Sequence, residues 1–303
     1  MMSAKKIGIG FGVLLTFGII WYLAFKESDY TITFKVKAAT GTVFQGIGEW
    51  TDNQQKNNTG NYVVLEKSNY NHILHKFLFK QELMTYKWEI NSINDSMTQV
   101  KVSIKDSNHS LYNRLTAPFV NTDFKLTQIN KIKNFKEGLE NHIKNFKVKI
   151  DGKGKSKEDF VAYITLKSVM QEKAQSMIRD DNVITGYLQQ NAIAITGKPY
   201  VEILKWNQKT EQIEFNYCFP ITKNAQYIEH PRVKFKSIPV HNGIMATYYG
   251  NFRTSDRAWF AILDYAKRNK IELDTKPLEH FLANPFNGGE ELSWETKIII
   301  PYK

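Results

Sequence analysis

Apolar and polar residues alternate through much of the first half of the chain. Val100, Val102 and Ile104 alternate with Lys101, Ser103 and Lys105, the period-2 pattern of a strand with one buried face. Residues 30–36 alternate in the same way, and β-rich runs follow at 62–65, 72–79, 84–93 and 98–104. A helix-compatible segment at 42–50 and a polar, Asn/Gln-rich turn at 51–61 separate the first two strands. The period then changes. Phe124, Ile129, Ile132, Phe135, Leu139 and Ile143 recur every three to five residues with lysines between them, which predicts one long amphipathic helix over 122–146. A curved antiparallel sheet around that helix would bury both apolar stripes.

The second half repeats itself. The segment Gly197-Lys198-Pro199-Tyr200-Val201-Glu202-Ile203-Leu204 parallels Thr275-Lys276-Pro277-Leu278-Glu279-His280-Phe281-Leu282 at an offset of 78. The closing strands IEFNYCFP (213–220) and WETKIIIP (294–301) correspond at an offset of 81, the extra three residues falling at the Gly288-Gly289 turn. A helical segment precedes each Lys-Pro, at 169–190 and 255–270, and a strand precedes each helix. Each repeat therefore reads strand–helix–hairpin. Neither copy buries its sheet alone, so the two are expected to pack about a pseudo-twofold axis with a groove where they meet. Between the halves, residues 151–159 hold glycines and charges with no apolar side chain, the composition of an exposed linker.

Residues 7–25 form an uninterrupted apolar run of nineteen residues without charge. As a helix this would span about 28 Å, near the thickness of a bilayer's hydrocarbon core. Lys5 and Lys6 precede it, and Trp21 and Tyr22 lie near its far end. The pattern predicts an uncleaved single-pass anchor with a cytoplasmic N-terminus and the remaining domains outside, periplasmic in a double-membrane bacterium. A cleaved signal peptide is the competing reading. It calls for a shorter apolar region and a small-x-small site, whereas the run ends Tyr-Leu-Ala-Phe-Lys-Glu-Ser.

At 303 residues, with 42% hydrophobic and 13% aromatic content, the chain can supply two cores. Its net charge of +11 admits anionic partners, yet lysines and acids are interspersed. No helix-turn-helix, zinc-finger or RNP-type pattern is present, so nucleic acid is not expected as a partner. Cys218 is the single cysteine, and it lies in an apolar run, so no disulfide or cysteine-based metal site is expected. The seven histidines are scattered; His72 and His75 would point to opposite faces of a strand. No metal and no cofactor are expected.

The order of an opening strand, then Thr42-Val43-Phe44 and Ile47-Gly48-Glu49-Trp50, then a sheet and a terminal helix resembles the helix-grip fold of the START-like (SRPBCC) superfamily. That resemblance implies a lipid or other apolar ligand between sheet and helix, or a filled interior. In the second half, Tyr248-Tyr249-Gly250-Asn251-Phe252, the following helix, Lys276-Pro277-Leu278-Glu279-His280-Phe281-Leu282-Ala283-Asn284-Pro285 and Ile298-Ile299-Ile300-Pro301 occur in order. Together they resemble the GyrI-like, or AraC effector-binding, domain family. The sequence departs from that pattern where Leu278 replaces a common Arg and where Phe281 and Phe252 each replace a Tyr. The expected organisation is thus α+β: residues 1–28 an anchor, 29–150 a START-like domain, 151–159 a linker and 160–303 a GyrI-like domain.

Glu279 is the leading candidate for a binding residue. In a strand over 278–283, Leu278, His280 and Leu282 share one face and Glu279, Phe281 and Ala283 the other. Packing the leucines on the helices would turn Glu279 and Phe281 toward the groove. The resemblance agrees, since the matching glutamate in the multidrug-sensing members lies in the ligand pocket. A carboxylate among aromatics is costly to bury alone, and a cationic apolar ligand would compensate it. Tyr248, Tyr249, Trp259 and Trp294 are candidate walls. The expected partner is a small amphipathic or cationic apolar molecule. The alternatives are a GyrI-like hydrolase of strained electrophiles with Glu279 as general base, and an envelope scaffold without a small ligand.

Overall fold

The computed structural model describes residues 4–56, 61–68, 70–79, 82–94, 96–117, 119–223, 227–283 and 288–303. The chain runs α1 (Ala4–Phe25), β1 (Tyr30–Val36), α2 (Thr40–Lys56), β2 (Asn61–Ser68), β3 (His72–Phe79), β4 (Glu82–Asn94), β5 (Met97–Asp106), α3 (Ser110–Thr116) and α4 (Asp123–Ile143). It continues with β6 (Phe146–Lys155), β7 (Asp159–Val169), α5 (Lys173–Gln190), β8 (Tyr200–Asn207), β9 (Gln212–Pro220), β10 (Lys234–Ile238), β11 (Asn242–Gly250), α6 (Arg257–Arg268), β12 (Leu278–Phe281) and β13 (Glu295–Pro301). The class is α+β, with two large sheets. Contacts divide the chain into two compact units: Met1–Lys35, Phe44–Asn91 and Gln99–Glu137 form one, and Val36–Val43, Ser92–Thr98 and Gly138–Lys303 the other.

The membrane anchor expected over residues 7–25 is overturned. The segment is helical as α1, yet among the described residues no helix is long and apolar enough to cross a membrane. Lys5 and Lys6 fall in the helix's first turn. The single-pass assignment, the cytoplasmic N-terminus and the periplasmic placement all rested on that span, and they go with it.

The first unit contains the five-stranded sheet β1-β5-β4-β3-β2. β5 alternates as its sequence predicts, with Val100, Val102 and Ile104 fully buried. On α4, Ile132, Phe135 and Leu139 are buried while Ile129 is exposed, so the buried stripe is narrower than the periodicity suggested. Trp50 of α2 lies edge-on to Tyr62, Tyr86, Trp88 and Phe135, with ring centroids 5.5–6.3 Å apart. Aromatic edges meeting faces in this way fill the interior of the unit.

The second unit is built on the eight-stranded sheet β10-β7-β9-β8-β12-β13-β11-β6. Its six central strands fall into two triplets, β7-β9-β8 and β12-β13-β11, meeting at the β8–β12 pair. This is the duplication expected from the sequence. In that central pair Glu279 lies directly opposite Val201. Residues 151–155, which composition marks as linker, belong to β6 and pair with β11. An edge strand carrying exposed lysines needs no apolar residue, because hydrogen bonds on one side hold it and charge guards the other. Gly250 ends β11 at φ +147, where a Cβ would meet Tyr248 Oη at 2.7 Å, so the Tyr-Tyr-Gly motif requires its glycine.

α5 and α6 cover one face of this sheet through Ala174, Met177, Ile184 and Leu188 and through Trp259, Phe260, Ile262 and Ala266. The other face holds a cluster of Val161, Tyr200, Cys218, Ile238, Leu278 and Ile299. Leu278 therefore points away from the helices and Leu282 is exposed, the reverse of the expected packing of the leucine face. Glu279 lies on the helix-covered face, where Lys173 of α5 meets it.

Candidate functional site

A cleft of about 530 Å³ opens in the second unit. Met177, Ile178, Asp181, Asn182 and Thr185 of α5 form one wall, and Tyr217 and Phe219 of β9 another. Lys198 and Pro199 before β8, Phe252 after β11, and Phe281 and Ala283 from the end of β12 complete it. The α5 residues belong together because positions 177, 178, 181, 182 and 185 are spaced by three and four, one face of a helix. Phe252 and Phe281 meet edge-to-face, with centroids 5.7 Å apart. The cleft thus draws its walls from both repeats and is mostly apolar.

Its polar points are few. Asp181 Oδ1 accepts the Tyr217 hydroxyl at 2.9 Å, and its Oδ2 accepts Thr185 Oγ1 at 3.3 Å. Burial, with Asp181 beside it, pushes the Tyr217 hydroxyl far above the ordinary tyrosine range, so it remains a neutral donor. Lys198 supplies a cation on the same lining.

Glu279 does not line the cleft. It is 0% exposed and bound inside the protein. Lys173 Nζ donates to Oε2 at 2.5 Å, and Ser255 Oγ lies 3.1 and 3.0 Å from the two carboxylate oxygens. Lys173 Nζ also reaches Ser255 Oγ at 3.0 Å and stands over the Trp259 ring, 4.7 Å from its centroid. Burial pushes the Glu279 carboxyl up from its ordinary value, and the Lys173 ammonium opposes that shift.

The other sequence candidates separate. Phe281 lines the cleft, and Trp259 joins Lys173 and Glu279 in the interior. Tyr248 is buried on β11, bonded to Thr254 Oγ1 at 2.6 Å and to the Asn251 carbonyl at 3.1 Å, and stacked on Phe146. Tyr249 is half-buried on the opposite face of that strand. Trp294 donates its indole N–H to the Gly288 carbonyl at 3.2 Å. Neither these two nor Tyr248 lines the cleft. Asn284 and Pro285 of the second-repeat motif lie outside the described residues. Sequence reasoning missed Lys173, Ser255, Asp181 and Lys198. Among the described residues no group of three His, Cys, Asp or Glu side chains could hold a metal ion.

No protein-family model matches the sequence. No curated protein matches it significantly. Among solved structures, the C-terminal domain of EcmrR is similar over 52% of this chain and 98% of its own, at 13% identity and a TM-score of 0.43. EcmrR in a DNA complex is similar over 65% of this chain and 72% of its own, at 16% identity and a TM-score of 0.44. A hydrolase from Listeria innocua is similar over 50% of this chain and 92% of its own, at 10% identity and a TM-score of 0.34. At these scores the likenesses place no activity on this chain.

Proposed function

We propose that the second unit is a small-molecule-binding module whose cleft accepts a compact apolar or amphipathic molecule. The observation that carries this reading is the lining: Met177, Ile178, Phe219, Phe252 and Phe281 converge from both repeats on one opening, with Asp181, Tyr217 and Lys198 among its polar points. A cleft of about 530 Å³ is of the size that small ligands fill. The GyrI-like resemblance supports the same reading, because a duplicated strand–helix–hairpin unit with a groove is what it implies. Hydrolysis by Glu279 finds less support. A general base must reach the proton it takes, and this carboxylate is sealed from solvent and already accepts from Lys173 and Ser255. For the first unit we propose the helix-grip arrangement of START-like domains, its interior filled by the rings around Trp50.

The test is a fluorescence titration of the intact chain with N-phenyl-1-naphthylamine, a neutral apolar probe that brightens when removed from water. Saturable binding is expected, weakened about tenfold in Ile178→Glu, where a charge enters an apolar wall. Absence of saturable binding, or binding indifferent to the substitution, would sink the reading.

A further inference from the structure

Three elements that wall the cleft each carry a second residue into the interior. Lys173 lies one helical turn before Met177 on α5. Glu279 lies two residues before Phe281, on the same face of β12. Ser255 Oγ also lies 2.8 Å from the carbonyl oxygen of Phe252. The cleft wall and the interior cluster are therefore built from the same backbone segments.

The cluster has the parts of a site for an organic ammonium group. A carboxylate stands 2.5 Å from the ammonium nitrogen, a hydroxyl 3.0 Å from it, and an indole ring faces it at 4.7 Å. An ammonium carries three donors, and a carboxylate, a hydroxyl and a π-face supply partners in three directions. Lys173, Ser255, Trp259 and Glu279 are each 0% exposed. The cation that fills this box belongs to the chain itself. A ligand's cation brought to the same carboxylate would have to sit beside Lys173, where like charges in a poorly solvated interior repel strongly.

Resting on the reading of the cleft as a small-molecule site, we propose that Lys173 is its specificity-determining residue: its ammonium occupies the carboxylate–hydroxyl–indole box and withholds Glu279 from any ligand. Charge on a ligand is then read by Asp181 and Lys198, and the apolar walls select the rest. Without the Lys173 side chain, Glu279 becomes a cation-reading group, and the room the lysine leaves lies one helical turn from Met177 of the cleft wall.

A matched pair of probes tests this, n-hexylammonium against hexan-1-ol, by calorimetric titration of the intact chain at neutral pH. In Asp181→Asn the two probes should bind within about threefold of each other, because Glu279 is already taken. In Lys173→Ala, n-hexylammonium should gain about tenfold over its affinity for the natural chain while hexan-1-ol does not, and adding Glu279→Gln should erase the gain. If Asp181→Asn keeps an ammonium preference of about tenfold, Glu279 reads cations with Lys173 in place and the proposal is overturned. It is equally overturned if Lys173→Ala shows no gain while hexan-1-ol still binds, a result that leaves the cleft reading standing. Failure of both probes to bind the natural chain overturns the cleft reading, and this one with it. The Asp181→Asn arm decides the matter even where Lys173→Ala does not fold.

Discussion

The two repeats of the second unit share a backbone plan and divide its chemistry between them. Strand registers align Leu166 of β7 with Tyr248 of β11, since Leu166 pairs with Phe215 and Tyr248 with Thr296. That offset of 82 also separates Lys173 from Ser255, each at the entry to its repeat's helix. Val201 and Glu279 complete the comparison and face each other across the central β8–β12 pair. The first repeat thus offers valine and lysine where the second offers glutamate and serine. The duplication makes a symmetric sheet, and two departures from that symmetry, Lys173 against Ser255 and Glu279 against Val201, assemble one charged box. The box depends on the asymmetry, because a symmetric pair of carboxylates or of ammoniums at this depth would have no counter-charge.

The most damaging way to break the comparison is to restore symmetry at the centre. Val201→Glu would set a second buried carboxylate against Glu279, with Lys173 able to answer only one. A loss of about 5 kcal/mol or more is expected, read as a collapse of the cooperative unfolding transition in urea. A chain that tolerates this change would show that the two strands do not face each other as described.

Removing the cation should cost somewhat less. Lys173→Met keeps most of the side-chain volume and leaves the Glu279 carboxylate buried with Ser255 as its remaining partner. Breaking a buried pair from one side costs about 3–5 kcal/mol. Replacing both charges, as Lys173→Met with Glu279→Leu, should return stability to within about 1 kcal/mol of the natural chain. Denaturant midpoints of the two singles and the double give the coupling directly. Independent, additive losses would mean that the pair is not the unit described.

A pH signature can sharpen the comparison once a competing source in the first unit is removed. His75, in the first unit, is 1% exposed, and burial lowers its pKa to about 4. The unfolded chain, with a histidine pKa near 6.5, then binds more protons than the folded one between the two values. Stability is fully present above the unfolded value and is lost as pH falls from about 6.5 toward 4, by about 3 kcal/mol in all. His75→Phe should flatten that acid limb in pH-dependent chemical denaturation. An unchanged limb would mean that the histidine is charged in the folded protein or exchanges with water.

Much of this was legible in the sequence, and the illegible parts have physical reasons. The repeat was visible because both hairpins carry Lys-Pro and both closing strands end in proline. Glu279 stood out because a carboxylate interrupts an apolar strand. Its partner was harder to see, since Lys173 lies 106 residues away and lysine is common in this chain. A signal existed: Lys173 falls four residues before Met177 and eleven before Ile184, on the buried stripe of α5. A lysine in register with such a stripe needs an acid to meet it. The residues 151–155 misled because an edge strand can be wholly polar, and the leucines of β12 misled because both faces of this sheet are buried. Where both faces are apolar, alternation cannot tell which one the helices cover. The apolar run at residues 7–25 was read from its length, its lack of charge and the flanking Lys5, Lys6, Trp21 and Tyr22, a pattern that a helix can carry without crossing a membrane.

The mildest test concerns the third unlike position. Tyr248 and Leu166 share a place in the sheet, yet only the tyrosine carries a hydroxyl, bonded to Thr254 Oγ1 at 2.6 Å and to the Asn251 carbonyl at 3.1 Å. Those bonds tie the end of β11 to the turn that presents Phe252 to the cleft and Ser255 to Glu279. Tyr248→Phe keeps the stack on Phe146 and removes only the hydroxyl. A loss of about 1 kcal/mol is expected from the hydrogen bonds alone. If the turn is also what positions Phe252, N-phenyl-1-naphthylamine should bind a few-fold more weakly to this variant, while the equally conservative Leu166→Met leaves binding unchanged. Equal effects of the two substitutions would show that the turn positions nothing and that the unlike pair is only a difference in packing.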